Sequence, residues 1–101
     1  MANLRNANTF YIDTAFGSGG TTLAGKNIQV LGVMLYPTAA GSVCRLDEVT
    51  TGAAKIFISS PNQYDARYFD FSNSPIVFPG GILPAVATNC AVVCIIRDGG
   101  A

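Results

Sequence analysis

The chain has 101 residues, half of them apolar and only 12% charged, with six basic side chains, six acidic ones and no histidine. A chain of this length is one domain with a core of modest size. Its zero net charge and scattered Lys and Arg residues argue against electrostatic binding of nucleic acid, which needs clustered basic side chains. So few charges leave apolar surface uncovered, and large apolar patches mark sites of association. We therefore expect a homo-oligomer or a protein that docks onto a partner.

The amino-terminal residues show neither the basic segment nor the apolar core of a secretion signal. No apolar run reaches the ~18 residues that a membrane-spanning helix needs. Three cysteines, an odd number, are more typical of a reducing compartment than of a disulfide-stabilised domain. We expect a chain that is made and used without secretion and without a membrane partner. Residues 1–8 and 98–101 are polar or glycine-rich, and we expect them to be flexible.

Short runs of β-branched and aromatic residues, separated by Gly, Pro, Asn and Ser, predict strands along the whole chain. The longest run, residues 28–36, contains Gly32, which indicates a bulge or the close approach of another backbone. Residues 43–49 and 54–59 flank a Gly-containing turn and predict a hairpin. Residues 90–97 are apolar on both faces, so this strand must be covered on both sides. The other predicted strands are residues 9–14, 67–71, 76–78 and 82–86.

About eight short strands, with no convincing helix, repeat or second domain, predict a single antiparallel β-sandwich, jelly-roll-like, over residues 1–101. Alternation along residues 67–71 turns Phe69 and Phe71 inward and Tyr68 and Asp70 outward. The bulkiest apolar cluster surrounds a Gly-Gly reversal and is predicted to be the core and hinge: Phe69, Phe71, Pro75, Ile76, Phe78, Pro79, Gly80 and Ile82. The residues predicted to form an interface are Tyr36, Tyr68, Val93 and Ile95.

Residues 20–27 nearly match the phosphate-binding pattern G-x-x-x-x-G-K-[ST]. That loop needs a hydroxyl after the lysine and a helix after the loop, whereas here Asn27 follows Lys26 and a strand-like run comes next. A hairpin loop is the better interpretation. The glycine-rich residues 16–22, which overlap the start of this loop, are expected to be flexible.

The three cysteines raise the question of a metal or redox site. Cys90 and Cys94 are four residues apart on a strand, which separates them by about 13 Å, too far for a disulfide. With no histidine and only Cys44 as a further thiol, one subunit cannot supply a four-ligand zinc site of Cys and His. A site shared between subunits stays open. We expect buried cysteines that act as small hydrophobic residues, with no metal and no cofactor.

The six carboxylates are scattered, and the sequence neither indicates nor excludes a pair facing each other across a cleft, as glycosidase chemistry requires. Asp70 is expected to accept hydrogen bonds from the turn amides around Ser72 and Asn73. Without histidine, no Ser-His or Cys-His triad can form. Exposed aromatic residues could stack on sugars or on single-stranded nucleic acid, but without interleaved basic residues, core packing and subunit contacts are the preferred interpretation. We predict a protein that is not an enzyme and has no catalytic residues.

Residues 10–15 (FYIDTA), 28–33 (IQVLGV), 69–72 (FDFS) and 75–82 (PIVFPGGI) together resemble a group of small virion structural proteins of tailed bacteriophages. The similarity in order of segments covers about residues 9–97. In that group, short β-rich modules serve as capsid cement or decoration proteins.

The resemblance implies a non-enzymatic virion protein, made in the host cytoplasm. It would dock as a homo-oligomer on the major capsid protein or another virion protein and stabilise the shell. The resemblance supplies no catalytic residue, and it implies no nucleic-acid or membrane partner. The alternative hypothesis is a receptor- or carbohydrate-binding module of a tail or fibre, which would use the loops around Tyr64 and Tyr68.

Overall fold

The computed structural model describes residues 3–6, 8–15, 17, 20 and 22–98. In this part of the chain, ten strands form two antiparallel sheets. Sheet A contains, in spatial order, β1 (Leu4–Asn6), β2 (Thr9–Ile12), β10 (Cys90–Asp98), β4 (Ile28–Pro37) and β7 (Arg67–Asp70), and β8 (Ile76–Phe78) also pairs with β4. Sheet B contains β3 (Leu23–Ala24), β9 (Gly81–Thr88), β5 (Ser42–Glu48) and β6 (Ala54–Ser60).

The strand order is that of a jelly roll. In sheet A the late strand β10 lies between β2 and β4, and in sheet B the late strand β9 lies between β3 and β5. The four strands β2-β10-β4-β7 of sheet A and the four strands β3-β9-β5-β6 of sheet B together form a double-sheet jelly roll. β1 extends sheet A on one side, and β8 continues the position of β7 along β4. The predicted antiparallel β-sandwich is confirmed, and so is the hairpin of β5 and β6.

The start of the chain corrects the expectation that residues 1–8 are a flexible arm. Leu4–Asn6 forms β1 and pairs with β2. The buried amide of Asn3 accepts hydrogen bonds from the N–H groups of Asp13 (2.9 Å) and Thr14 (3.1 Å) and donates one to the Thr14 carbonyl (2.9 Å). These bonds satisfy backbone groups that follow β2. Residues 1, 2 and 7 lie outside the described residues, as do residues 99–101, while Asp98 is the last residue of β10.

A second unpredicted strand, β3, lies within the stretch that was expected to be a hairpin loop. Leu23 and Ala24 pair with Ile82 and Gly81 of β9. Gly81 has a φ of 113°, and a Cβ there would collide with the Leu23 carbonyl, so the sheet closes at this point only because the residue is glycine. Within the predicted flexible loop at residues 16–22, residues 16, 18, 19 and 21 lie outside the described residues.

The core lies between the sheets and is formed by alternate residues of both. Phe78 and Ile82 are fully buried within it, as predicted for the cluster around the Gly-Gly reversal. Phe69, Phe71 and Ile76 are half-buried and pack against its margin. Of the other predicted hinge residues, Pro75 and Gly80 are half-buried and Pro79 is exposed at the turn. The fully buried residues of the core also include Ile12, Ile28, Val30, Val33, Leu35, Cys44, Leu46, Val92 and Cys94.

Candidate interaction surface

The outward side chains of sheet A form one connected, largely apolar surface. In the strand register, Tyr11 of β2 lies opposite Val93 of β10, which lies opposite Met34 of β4, and Met34 lies opposite Tyr68 of β7. Residues directly opposite each other in antiparallel strands project to the same face. Tyr36, opposite Ala91, and Ile95, opposite Gly32, flank this row. We call the resulting surface the tyrosine face: Tyr11, Met34, Tyr36, Tyr68, Val93 and Ile95.

The tyrosine face has the composition of a contact surface. Tyr11 is 39% exposed, Tyr36 44% and Tyr68 48%. Charged groups lie at its margin: Arg97 follows Ile95 along β10 and donates to the amide oxygen of Gln29 (2.9 Å), and Asp70 lies on the edge strand β7. The centres of protein interfaces are enriched in Tyr and Met and depleted in charged residues. The arrangement can therefore bury aromatic surface against a partner without desolvating a charge.

Gly32 is what allows Tyr68 to lie flat against the sheet. A Cβ at Gly32 would overlap the phenol ring of Tyr68, so the ring occupies the space that a side chain would fill. The register between β10 and β4 also shifts between Ile95 and Ile96, which leaves Leu31 as an extra residue. The predicted bulge is therefore present at Leu31, next to Gly32. The group that lies close to Gly32 is the Tyr68 side chain and not another backbone.

All four residues predicted to form an interface lie on this one face. Val93 and Ile95 alternate with buried residues along β10, while Tyr36 and Tyr68 belong to the next two strands. That they form an interface stays a prediction. Tyr11, which was not among the residues predicted to form an interface, lies between the buried residues Phe10 and Ile12. The period-two rule alone could have found it.

The outer face of sheet B is different. Its centre carries an ion pair, in which Arg45 Nε lies 3.1 Å from Asp47 Oδ1. The large apolar side chain exposed on the outer face of sheet B is Phe57 of β6, which lies opposite Arg45 and is 64% exposed. Apolar exposure on this sheet therefore lies at the edge and not at the centre.

Glu48 is a buried carboxylate at the end of β5 that binds the chain where it enters sheet B from sheet A. Its oxygens accept hydrogen bonds from the N–H groups of Thr50 (2.9 Å), Thr51 (2.8 Å) and Gly80 (2.7 Å). The Thr50 amide, opposed by burial and assisted by the amides of Thr51 and Gly80, lowers the pKa of Glu48 from 4.5 to about 2. Gly80 lies in the connection from β8 of sheet A to β9 of sheet B, so its hydrogen bond to the carboxylate holds that connection in place.

Three other carboxylates are also held by neighbouring donors. Asp65 pairs with Arg67 at 2.8 Å, and Asp13 accepts a hydrogen bond from the Thr14 hydroxyl at 2.8 Å. Asp70 accepts one from the Ser72 N–H at 2.9 Å, which confirms the predicted turn interaction and lowers the Asp70 pKa. Within the described ranges, no group of three His, Cys, Asp or Glu side chains could hold a metal ion.

Cys44, Cys90 and Cys94 are free and buried, as predicted. Burial raises the pKa of Cys94 to about 12, and burial with the nearby Cys94 and Cys90 raises that of Cys44 further. These thiols therefore stay protonated near neutral pH and serve as packing groups.

No helix among residues 3–6, 8–15, 17, 20 and 22–98 has the length and hydropathy needed to span a bilayer. Comparison of this chain with protein-family models, curated proteins and solved structures finds no match.

Proposed function

We propose that this chain is a non-enzymatic structural protein of a tailed-phage particle, a capsid cement or decoration protein that docks on the shell as an oligomer. The segment resemblance supports the virion assignment. The observation that carries the docking role is the tyrosine face, where three half-exposed tyrosines surround Met34 and Val93. The partner would be the major capsid protein or another virion protein. The chain would bind it without being secreted.

The size of the tyrosine face supports docking by several copies. Three tyrosines of ~200 Å² each, exposed by 39%, 44% and 48%, leave about 260 Å² to be covered. At ~25 cal/mol per Å², covering this area yields about 6.5 kcal/mol. That gain is comparable to the rotational and translational cost of association. One copy would bind weakly, whereas an oligomer presenting several faces would bind tightly through multivalency.

The test is co-sedimentation of the purified protein with assembled capsids that lack it. We expect binding that saturates at a fixed copy number per shell subunit. The double variant Tyr36→Ser/Tyr68→Ser should lose this binding, whereas Tyr64→Ser, the same change at an exposed tyrosine outside the face, should keep it.

Three results would contradict the proposal. One is no binding by the folded wild-type protein, and another is absence of the chain from purified particles. The third is full binding by the double variant, which would remove the tyrosine face from the argument.

Tyr64 supports a second candidate function, a receptor- or carbohydrate-binding module of a tail or fibre. Its side chain is 81% exposed and its φ is 61°, a backbone conformation that bulky residues rarely adopt. Polar groups are held nearby: Asp65 pairs with Arg67, and the Gln63 amide donates to the Thr38 carbonyl at 2.9 Å. An exposed aromatic ring beside oriented polar groups could stack on a sugar, and the polar groups could hydrogen-bond to it.

A glycan array separates the two candidates. Binding that Tyr64→Ala or Tyr68→Ala abolishes would favour the carbohydrate-binding module. A blank array with folded protein would count against it.

A further inference from the structure

β6 differs from the other edge strands in length. The other edges of the two sheets, in the part of the chain that the structure describes, are formed by β1 with three residues, β3 with two, and β7 and β8 with four and three. β6 has seven residues. Natural proteins keep edge strands short, or interrupt them with proline, charge or bulges, because an open edge pairs with other chains. β6 is therefore the edge most able to accept another strand.

The outer side of β6 is open for hydrogen bonding. The strand pairs with β5 from Ser42↔Ser60 to Asp47↔Ala54, and no other strand in the described residues pairs with it. In an antiparallel ladder about half of an edge strand's N–H and C=O groups point away from its neighbour. No proline interrupts β6, since Pro61 comes after its last residue.

The side chains of β6 alternate between core and solvent. Ile56 and Ile58 are buried, whereas Lys55, Phe57 and Ser59 are exposed. Lys55 is the single charge on the strand, and it lies at one end, where the register with β5 shifts. The centre of the edge is occupied by Phe57, which is 64% exposed and has no charged residue next to it on β6, although Arg45 lies opposite it on β5.

We propose that β6 pairs antiparallel with β6 of a second copy of this chain, in a register centred on Phe57. Phe57 then lies opposite the partner's Phe57, and aromatic pairs directly opposite each other stabilise antiparallel strands. Ile56 lies opposite the partner's Ile58, so that the inner faces of the two sandwiches continue into each other. The two four-stranded sheets become one eight-stranded sheet.

Charge and symmetry select a second copy as the occupant. Phe57 is the middle residue of Ala54–Ser60, so a two-fold axis through it sets the strand opposite itself, with the register shift at Lys55 near each end of the pair. This register sets each Lys55 opposite a Ser59, whereas a register centred on Lys55 would set two ammonium groups opposite each other, which destabilises a strand pair. The contact is isologous, and so it closes as a dimer.

The first experiment measures mass by sedimentation equilibrium from micromolar to millimolar concentration. We expect a mass rising to twice the 10.5 kDa of the chain. Phe57→Lys should weaken dimerisation by about tenfold or more, because it sets like charges opposite each other. Val77→Lys, the same change at an exposed apolar residue of the short edge strand β8, should leave the dimer intact.

The second experiment tests the register by mild oxidation of cysteine variants. Phe57→Cys should form a disulfide-linked dimer, since opposed residues have Cα atoms within disulfide range. Ser59→Cys should not, because its two copies would be four residues apart along the pair, about 13 Å. The wild-type chain, whose three thiols are buried, is the background control.

A wild-type chain that stays at 10.5 kDa at millimolar concentration would overturn the proposal. So would a dimer that Val77→Lys dissociates and Phe57→Lys does not, or a disulfide-linked dimer of Ser59→Cys but not of Phe57→Cys. The edge contact does not depend on the proposed docking role, because it is measured in solution without capsids. Loss of capsid binding by a protein that still dimerises through β6 would overturn only the proposed function.

Discussion

The outer face of sheet A carries its apolar side chains at the centre, whereas that of sheet B carries the Arg45–Asp47 ion pair there and an exposed phenylalanine at its edge. The two faces cover opposite sides of the same core, so the contrast does not follow from what the inner faces need. A flat apolar centre suits docking against a surface, and an apolar edge strand suits pairing with another strand. One small jelly roll thus offers two separate modes of contact.

The largest expected effect is loss of the core that supports both faces. Phe78→Ala should lower the free energy of unfolding by about 3–5 kcal/mol, because the ring is fully buried. Phe57→Ala, at an exposed position, should cost less than about 0.5 kcal/mol in the monomer. Phe71→Ala should fall between them, since that ring is half-buried at the margin of the core. Urea unfolding at a concentration where the chain is monomeric measures all three, and a loss below 1 kcal/mol for Phe78→Ala would contradict the assigned core.

Glu48→Gln tests whether the buried carboxylate holds the β8–β9 connection in place. The folded pKa of about 2 lies below the ordinary 4.5, so the carboxylate stabilises the fold above pH 4.5 and that contribution disappears as the pH falls from 4.5 to 2. The variant should be less stable at pH 7 and should lose this part of the acid dependence, because an amide cannot accept three N–H bonds as the carboxylate does.

The matched control for Glu48→Gln is Asp70→Asn, which removes an exposed carboxylate whose hydrogen-bond donors are the N–H and the hydroxyl of one residue, Ser72. Chemical unfolding at several pH values between 7 and 2 compares the two variants. Equal acid dependence of Glu48→Gln and the wild type would show that the crossover at Gly80 is held by other contacts.

A substitution with little expected effect on stability sharpens the description of the tyrosine face. Gly32→Ala places a Cβ where the Tyr68 ring lies, so the ring must swing outward. Because only the end of a flexible side chain has to move, unfolding should change by less than about 1 kcal/mol. Capsid binding should nevertheless fall, since the face is no longer flat.

The control for Gly32→Ala is Gly41→Ala. A Cβ there meets nothing within 4 Å, although its φ of 75° makes the substitution strained. Gly41→Ala should therefore lower stability and leave capsid binding unchanged. Unaltered binding by Gly32→Ala would mean that the Tyr68 ring does not contribute to docking.

Local patterns in the sequence were sufficient for most of the fold. Alternation and turn residues located all eight predicted strands, the β5–β6 hairpin and the Asp70–Ser72 turn, since each depends on neighbouring residues. The same alternation put Tyr68 on an outward position, whereas residues 90–97 are apolar on both faces and their pattern did not show which side Val93 and Ile95 face. The short strands β1 and β3 were missed because they contain no β-branched or aromatic residue, whereas the equally short β8 (Ile76–Phe78) consists of such residues. They form only where β2 and β9 already present a partner edge.

By itself, the sequence determined which residues extend, which turn, and which face of each strand is apolar, because these follow from side-chain chemistry at spacings of one or two residues. The order of the strands was decided by tertiary structure alone. That order makes β6 an edge and gathers Tyr11, Tyr36 and Tyr68 on one face. It also brings the Gly80 amide to the Glu48 carboxylate across 32 residues of chain. Such contacts join groups distant in sequence, and no local pattern records which of them will meet.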